Sequence, residues 1–293
     1  MSQATTVALV QMNAGLGAEV NLAEIEARVA EAKQAGACYV LTPEMSVVFA
    51  KDRAGLRATT GPWGGNGAIE RLAGIAQAHS VFLHVGSLAI ALSDERFANR
   101  SVVFDPQGAI VSTYDKIHLF DADIPGSNAY RESATYAGGT QAVVVDIAPF
   151  SLGATICYDL RFAGLYRALA EAGAQVIAVP SAFTVPTGAA HWHVLLRARA
   201  IETGCFILAA AQGGHHENGR STFGHSLVVS PWGEVIAEVE GDAPGLLIAE
   251  LDLDAVSAAR QRVPALANAR SFTLAAPDAG VAVSSSLKTQ AGN

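Results

Sequence analysis

Short, unbroken apolar runs alternate with helix-period segments through the first two thirds of the chain, and this alternation limits the fold most. Residues 7–12, 39–42, 81–89, 176–179 and 206–211 are strand-length and apolar on both faces. Strands buried on both sides look like this. Between them, residues 21–35 place Leu22, Ile25, Val29 and Ala32 on one helical face, and residues 67–79 and 191–203 follow the same period. Two pairs of runs, 102–104 with 109–114 and 227–229 with 234–239, flank Asp105-Pro106-Gln107-Gly108 and Pro231-Trp232-Gly233, which predicts hairpins. Residues 246–253 suit a late strand and 254–262 a last short helix. The pattern is mixed β/α rather than a plain doubly wound sheet. Two strands that each end at a reactive side chain, Glu44 and Cys157, suggest two similar halves.

Composition narrows the partners. The 293 residues are 51% hydrophobic and 16% charged, which favours one continuous core over residues 1–272. Residues 273–293 are small, polar and glycine-rich, the make-up of a flexible tail or of an arm on a neighbouring subunit. The net charge is −8 with the basic residues scattered, so nucleic acid is not an expected partner. The first residues lack a positive n-region and no apolar stretch is long enough for a bilayer, so neither secretion nor membrane insertion is expected. The three cysteines, Cys38, Cys157 and Cys205, are odd in number and without paired spacing. That points to a reducing, cytoplasmic setting, with Cys38 and Cys205 as core packing.

Three segments hold candidate chemistry. In Gly153-Ala154-Thr155-Ile156-Cys157-Tyr158-Asp159-Leu160-Arg161-Phe162, the cysteine sits between an apolar strand and a helix. The helix has Phe162, Leu165, Tyr166 and Leu169 on one face, and Gly173 ends it. Backbone N–H groups and the helix dipole at that junction favour a thiolate, a nucleophile for acyl transfer. A buried structural cysteine is the plain alternative. Glu44, just past the strand at 39–42, has apolar neighbours that would raise its pKa toward that of a neutral-pH base; a solvated turn residue is the alternative. Lys116 follows a strand among apolar and aromatic residues, where most lysines would instead be solvated.

Taken together and in this order, the glutamate, lysine and cysteine segments resemble the nitrilase superfamily of carbon–nitrogen hydrolases. Further matching blocks are Asn99-Arg100-Ser101, Pro180-Ser181-Ala182-Phe183-Thr184, Ala190-His191-Trp192, the run 195–202, Ala210-Ala211-Gln212 and Gly224-His225-Ser226. The run from His118 to Gly126, followed by Arg131-Glu132-Ser133, is most similar to the deaminated glutathione amidase branch. The resemblance implies an α-β-β-α sandwich, two mixed sheets face to face with helices outside. It also implies amide hydrolysis through a thioester, without a cofactor. Cys157 would be the nucleophile, Glu44 the proton carrier and Lys116 the oxyanion donor, with the Tyr158 N–H as second donor and Glu132 holding Lys116. A metabolite-repair role and a homodimer or larger assembly are further implications. Deaminated glutathione carries two carboxylates, so Arg131, Arg161, Arg197 and Arg199 are candidate anchors, two of them expected to be structural. Phe183, Thr184 and Thr187 are candidate lining of the acyl pocket.

Two positions depart from the branch. His193 replaces a glutamate, Ala163 replaces a proline, and both flank the expected site. An omega-amidase acting on 2-oxoglutaramate or 2-oxosuccinamate, another nitrilase or N-carbamoyl hydrolase, and a catalytically silent scaffold are the alternatives. No metal site is expected, because His191, His193, His215, His216 and His225 lack zinc-like spacing and alternate helical histidines do not share a face. Neither a Gly-x-Ser-x-Gly elbow nor a Gly-x-Gly-x-x-Gly turn after a strand is present.

Overall fold

The computed structural model describes residues 4–92, 95–123 and 129–273, so the expected tail and part of the 118–126 run lie outside the described residues. In chain order the first half comprises β1 (Thr5–Gln11), α1 (Ala18–Gln34), β2 (Tyr39–Leu41), α2 (Arg53–Thr59), α3 (Gly67–His79), β3 (Phe82–Ala91), β4 (Phe97–Phe104) and β5 (Ile110–Asp115). Three short strands follow: β6 (Asp121–Ala122), β7 (Tyr130–Arg131) and β8 (Tyr136–Ala137). The second half comprises β9 (Val143–Ile147), β10 (Phe150–Ala154), α4 (Ala163–Glu171), β11 (Val176–Ala178), α5 (Val185–Thr203) and β12 (Phe206–Ala209). It closes with β13 (Gly213–His215), β14 (Ser221–Phe223), β15 (Leu227–Val229), β16 (Val235–Glu238), β17 (Gly245–Leu251) and α6 (Asp254–Arg262).

The main strands form two mixed sheets, ordered β17-β1-β2-β3-β4-β5 and β16-β15-β12-β11-β10-β9. Alternation along each strand explains the layers. Val7 and Leu9 point between the sheets, where they meet Leu152, Val176 and Leu208. Ala8 and Val10 point outward to Leu22, Ile25 and Leu72 of α1 and α3. On the second sheet, Ile177 and Ile207 pack outward against Tyr166 and Leu196 of α4 and α5. Each of these strands is covered on both faces, hence the unbroken apolar runs. The four-layer sandwich expected from the resemblance is the observed architecture.

The halves match in pairing but not in chemistry. Each sheet has three consecutive parallel strands, β1-β2-β3 and β10-β11-β12, with an antiparallel strand at one side and an antiparallel pair at the other. Glu44 follows the second parallel strand of its sheet and Cys157 the first of the other. The segment that matches Glu44 by topology is therefore Pro180-Ser181-Ala182, after β11.

The single helix expected after Cys157 is split. A 3₁₀ turn spans Cys157–Arg161, and α4 starts only at Ala163, because Phe162 leaves the helical region (φ −106, ψ 84). Helix α5 starts at Val185, earlier than the 191–203 pattern, since Pro186 is tolerated in a first helical turn. Helix α2 has no apolar period in the sequence and is capped by Asp52, whose side chain accepts the Gly55 N–H. Gly86 marks where the two halves touch. A Cβ there would lie 2.1 Å from the Thr42 carbonyl oxygen and 2.4 Å from Pro180 Cβ. Among the described residues no helix is long and apolar enough to cross a membrane.

Candidate active site

Glu44, Lys116 and Cys157 come from three strand ends and meet at the floor of one cavity of about 290 Å³. Glu44 follows the bend after β2, where the Met45 N–H donates to Ser87 Oγ and the Glu44 carbonyl accepts Gln212 Nε2 at 2.9 Å. Lys116 is next to the last residue of β5, only 2% exposed. Its Nζ donates to Glu44 Oε1 at 2.9 Å and to both oxygens of Glu132 at 3.0 and 2.9 Å. Asn99 Nδ2, on β4, also donates to Glu44 Oε1 at 2.9 Å. The Phe120 N–H donates to Glu132 Oε2, which ties that carboxylate to the loop after Lys116.

Cys157 adopts a left-handed backbone (φ 49), unusual for a residue with a side chain. Its own N–H is held by the Pro180 carbonyl at 2.9 Å. The polar groups that act on its thiol are the Glu44 carboxylate and the Ala182 N–H. The Tyr158 N–H occupies the first turn of the 3₁₀ segment, where backbone donors lack intrahelical acceptors. Beneath it, Asp159 is fully buried. It accepts the Ile156 N–H, the His118 N–H, Tyr114 O–H at 2.7 Å and His118 Nδ1–H at 2.7 Å.

Charge is distributed differently from the sequence expectation. Burial pushes the Cys157 thiol well above its ordinary value, Glu44's charge adds to this, and Lys116 with the Ala182 N–H only partly oppose it. The thiolate expected at a helix start is therefore disfavoured; a five-residue 3₁₀ turn supplies little dipole, and the charge of Glu44 outweighs that of Lys116. Burial would raise Glu44 too, but Lys116's charge and the bonds from Lys116, Cys157 and Asn99 hold it below its ordinary value. That corrects the expected raised pKa. Burial works against the Lys116 ammonium, yet the charges of Glu132 and Glu44 keep it well above the ordinary lysine value. The resting site is a thiol facing a carboxylate, an arrangement suited to moving a proton from sulfur to oxygen.

The remaining candidates divide. Arg131 lines the cavity that holds Glu44, Lys116 and Cys157, exposed and paired with Asp123 at 2.8 Å. Arg161, Phe183, Thr184 and Thr187 line a smaller recess of about 20 Å³ that also touches Cys157 and Tyr158. There Arg161 lies over the Tyr158 and Phe183 rings, while Thr184 and Thr187 bond each other at 2.8 Å. Arg197 and Arg199 line neither space. Arg197 Nε holds the Gly233 carbonyl, and Arg199 bonds the Leu160 carbonyl and Glu202, so both are structural. Ala163 is the exposed first residue of α4, and His193 bonds Glu238; neither lines the spaces beside Cys157.

Sequence reasoning missed Arg220. It reaches the cavity of Glu44, Lys116 and Cys157 from the turn between β13 and β14, with its guanidinium 4.7 Å from the Phe49 ring centroid and 5.4 Å from that of Tyr130. Its Nε is buried without a hydrogen-bond partner. Lys51 and Arg53, from the loop before α2 and its first residue, add positive charge to the same cavity. Nothing local marks these residues, because they lie in polar loops distant from Cys157 in sequence.

Residues 6–261 match the carbon–nitrogen hydrolase family. A deaminated glutathione amidase from Yersinia enterocolitica is 40% identical over 267 residues, 90% of this chain and 92% of that one. The C. elegans NitFhit protein superposes with a TM-score of 0.83 at 33% identity, covering 92% of this chain and 66% of that longer one. An amidase from Nesterenkonia sp. AN1, with acrylamide added at its active-site cysteine, superposes at 0.75 with 29% identity, over 89% of this chain and 98% of that chain.

Proposed function

The chain belongs to the carbon–nitrogen hydrolase family and is an amidase, and from that premise we propose that Cys157, Glu44 and Lys116 carry the reaction, with deaminated glutathione as substrate. The contact chain from the Cys157 thiol to Glu44 to Lys116 supports the roles. Cys157 Sγ attacks the amide carbon as Glu44 takes the thiol proton, so no free thiolate is needed beforehand. The oxyanion is held by Lys116 Nζ and the Tyr158 N–H. Glu132 chelates two of the three ammonium protons, and turning one of them toward the oxyanion leaves the other in place. Collapse breaks the C–N bond, Glu44 returns the proton to the departing amine, and a thioester remains. Water, deprotonated by Glu44, then releases the acid and restores the thiol.

For the substrate, the carrying observation is Arg220, whose unpartnered Nε and stacked guanidinium suit a carboxylate at the cavity wall. Lys51, Arg53 and Arg131 supply charge for a second one. The Yersinia enterocolitica relative, a deaminated glutathione amidase, points the same way. The test is kcat/KM for deaminated glutathione against 2-oxoglutaramate, with Cys157→Ala as blank and Arg220→Met beside it. The reading requires a large preference for deaminated glutathione, abolished in the blank and reduced at least tenfold by Arg220→Met. Preference for the smaller amide would make the protein an omega-amidase instead. A cytoplasmic, metabolite-repair role goes with this substrate. Assembly into a homodimer or larger fits the exposed apolar Val194, Ile201 and Trp232 on and beside α5, and light scattering would measure it.

A further inference from the structure

Away from the catalytic cavity, one side-chain cluster has the make-up of a ligand set. His193 of α5, His225 of the turn before β15 and Glu238 of β16 bring two imidazole nitrogens and a carboxylate oxygen within 4.8 Å of one another. His193 Nε2 lies 2.8 Å from Glu238 Oε1, and His225 Nδ1 lies 2.9 Å from the same oxygen. Ligands about 2.1 Å from a shared ion stand about 3.0 Å apart at right angles and about 3.4 Å apart at tetrahedral angles. The two nitrogen–oxygen edges are already close to the first of these.

Alternate histidines on α5 do not share a face, as expected from the sequence, but the second imidazole comes from another element. Each ligand is held before any ion arrives. His225 has a left-handed backbone (φ 57), its N–H donates to the Gly241 carbonyl, and its own carbonyl accepts Trp192 Nε1 at 2.8 Å. Its ring stacks on Phe223 at 4.3 Å, and the His193 ring meets it edge-on at 5.6 Å. Glu238 is fixed by the ladder of β16 to β15. All three side chains keep some exposure, 36% for His193, 27% for His225 and 26% for Glu238, so water can fill the remaining coordination positions.

We propose that His193, His225 and Glu238 form a binding site for a borderline divalent cation of the Zn²⁺, Ni²⁺ or Co²⁺ class. Imidazole favours these ions over Mg²⁺ or Ca²⁺, which prefer all-oxygen sets. Binding requires each ring to present its lone pair at the facing nitrogen, with the proton on the far one. The ion would then join α5 to the β15–β16 hairpin, so loading stabilises the fold. None of the three ligands lines the catalytic cavity, so the site is separate from the reaction.

The experiment titrates Co²⁺ into chelator-stripped full-length protein and follows calorimetry, visible absorption and thermal melting. One equivalent should bind, with d–d bands and without the sulfur charge-transfer band that a cysteine ligand would add. The melting temperature should rise on loading. Affinity should fall at least tenfold in His193→Gln and in Glu238→Gln. His193→Gln keeps a donor facing Glu238, and metal-free melts of both variants establish that they are folded. No saturable binding in the wild type, unchanged affinity in both folded variants, or a spectrum dominated by sulfur would each overturn the site.

Discussion

Asp159 couples the two ends of the proposed catalytic site. It lies two residues after Cys157, and its partners Tyr114 and His118 both flank Lys116. One buried carboxylate thus sets the Cys157 turn against the Lys116 loop. Asp159→Asn puts an amide donor among four donors, leaving buried groups unsatisfied. It should cost about 3 kcal/mol in denaturant unfolding. It should also lower kcat/KM about 100-fold through kcat, because small misplacements of reacting groups have effects of that size. An unchanged kcat in a folded variant would sink this positioning role. Glu44 makes a second residue-level prediction. Its pKa is held below the ordinary 4.5, so it stays ionised as pH falls and is neutralised only below that value. The acid limb of kcat/KM should therefore lie below pH 4.5; a limb near 6 would mean that the base is another group.

At the level of elements, the site depends on close approach between strand ends. Gly86 of β3 lets Thr42 and Pro43 pass directly over it, and these two residues deliver Glu44. A Cβ at Gly86 meets the Thr42 and Pro43 carbonyl oxygens, at 2.1 and 2.6 Å, neither of which can rotate away. Gly86→Ala should destabilise by about 3 kcal/mol, the upper end for overpacking. It should also lower kcat more than an equally destabilising change in the outer layer. Leu72→Ala, between α3 and the first sheet, serves as that comparison. Equal kcat in the two variants would show that Gly86 only packs. The apolar periods of α1, α3 and α4 were legible because each helix covers a sheet with one face. Helix α2 and the early start of α5 were not, because a side-chain cap and a first-turn proline set those boundaries, not an apolar stripe.

Across the whole molecule, the sandwich encloses polar groups that respond to pH. His84 of β3 is fully buried between Tyr39 O–H and Ser101 Oγ, and burial depresses its pKa from 6.5 to about 3. The native state then binds fewer protons than the unfolded chain between these values. Stability should be lost as pH falls from 6.5 toward about 3. Urea unfolding of wild type and His84→Gln across that window measures it, and the variant's stability should depend less on pH. Parallel curves would remove His84 from the acid response.

The sequence by itself determined the order of strands and helices, because strands covered on both faces and helices covered on one leave that periodicity in any chain; the four-layer arrangement was implied only by the family resemblance. It also held the segments proposed for catalysis, since a proline-glutamate strand end and a strand-to-cysteine junction are local in the chain. Contacts between distant segments existed only in the tertiary structure. It put Asn99 on Glu44, Arg220 in the cavity wall, Asp159 against Tyr114 and His118, and His193 beside His225. It also decided the charge state. A thiolate expected from the helix start gave way to a thiol, because burial and the charge of Glu44, which follows a strand of the other sheet, both act on Cys157. Burial and electrostatics act through space, and a one-dimensional pattern records only what acts along the chain.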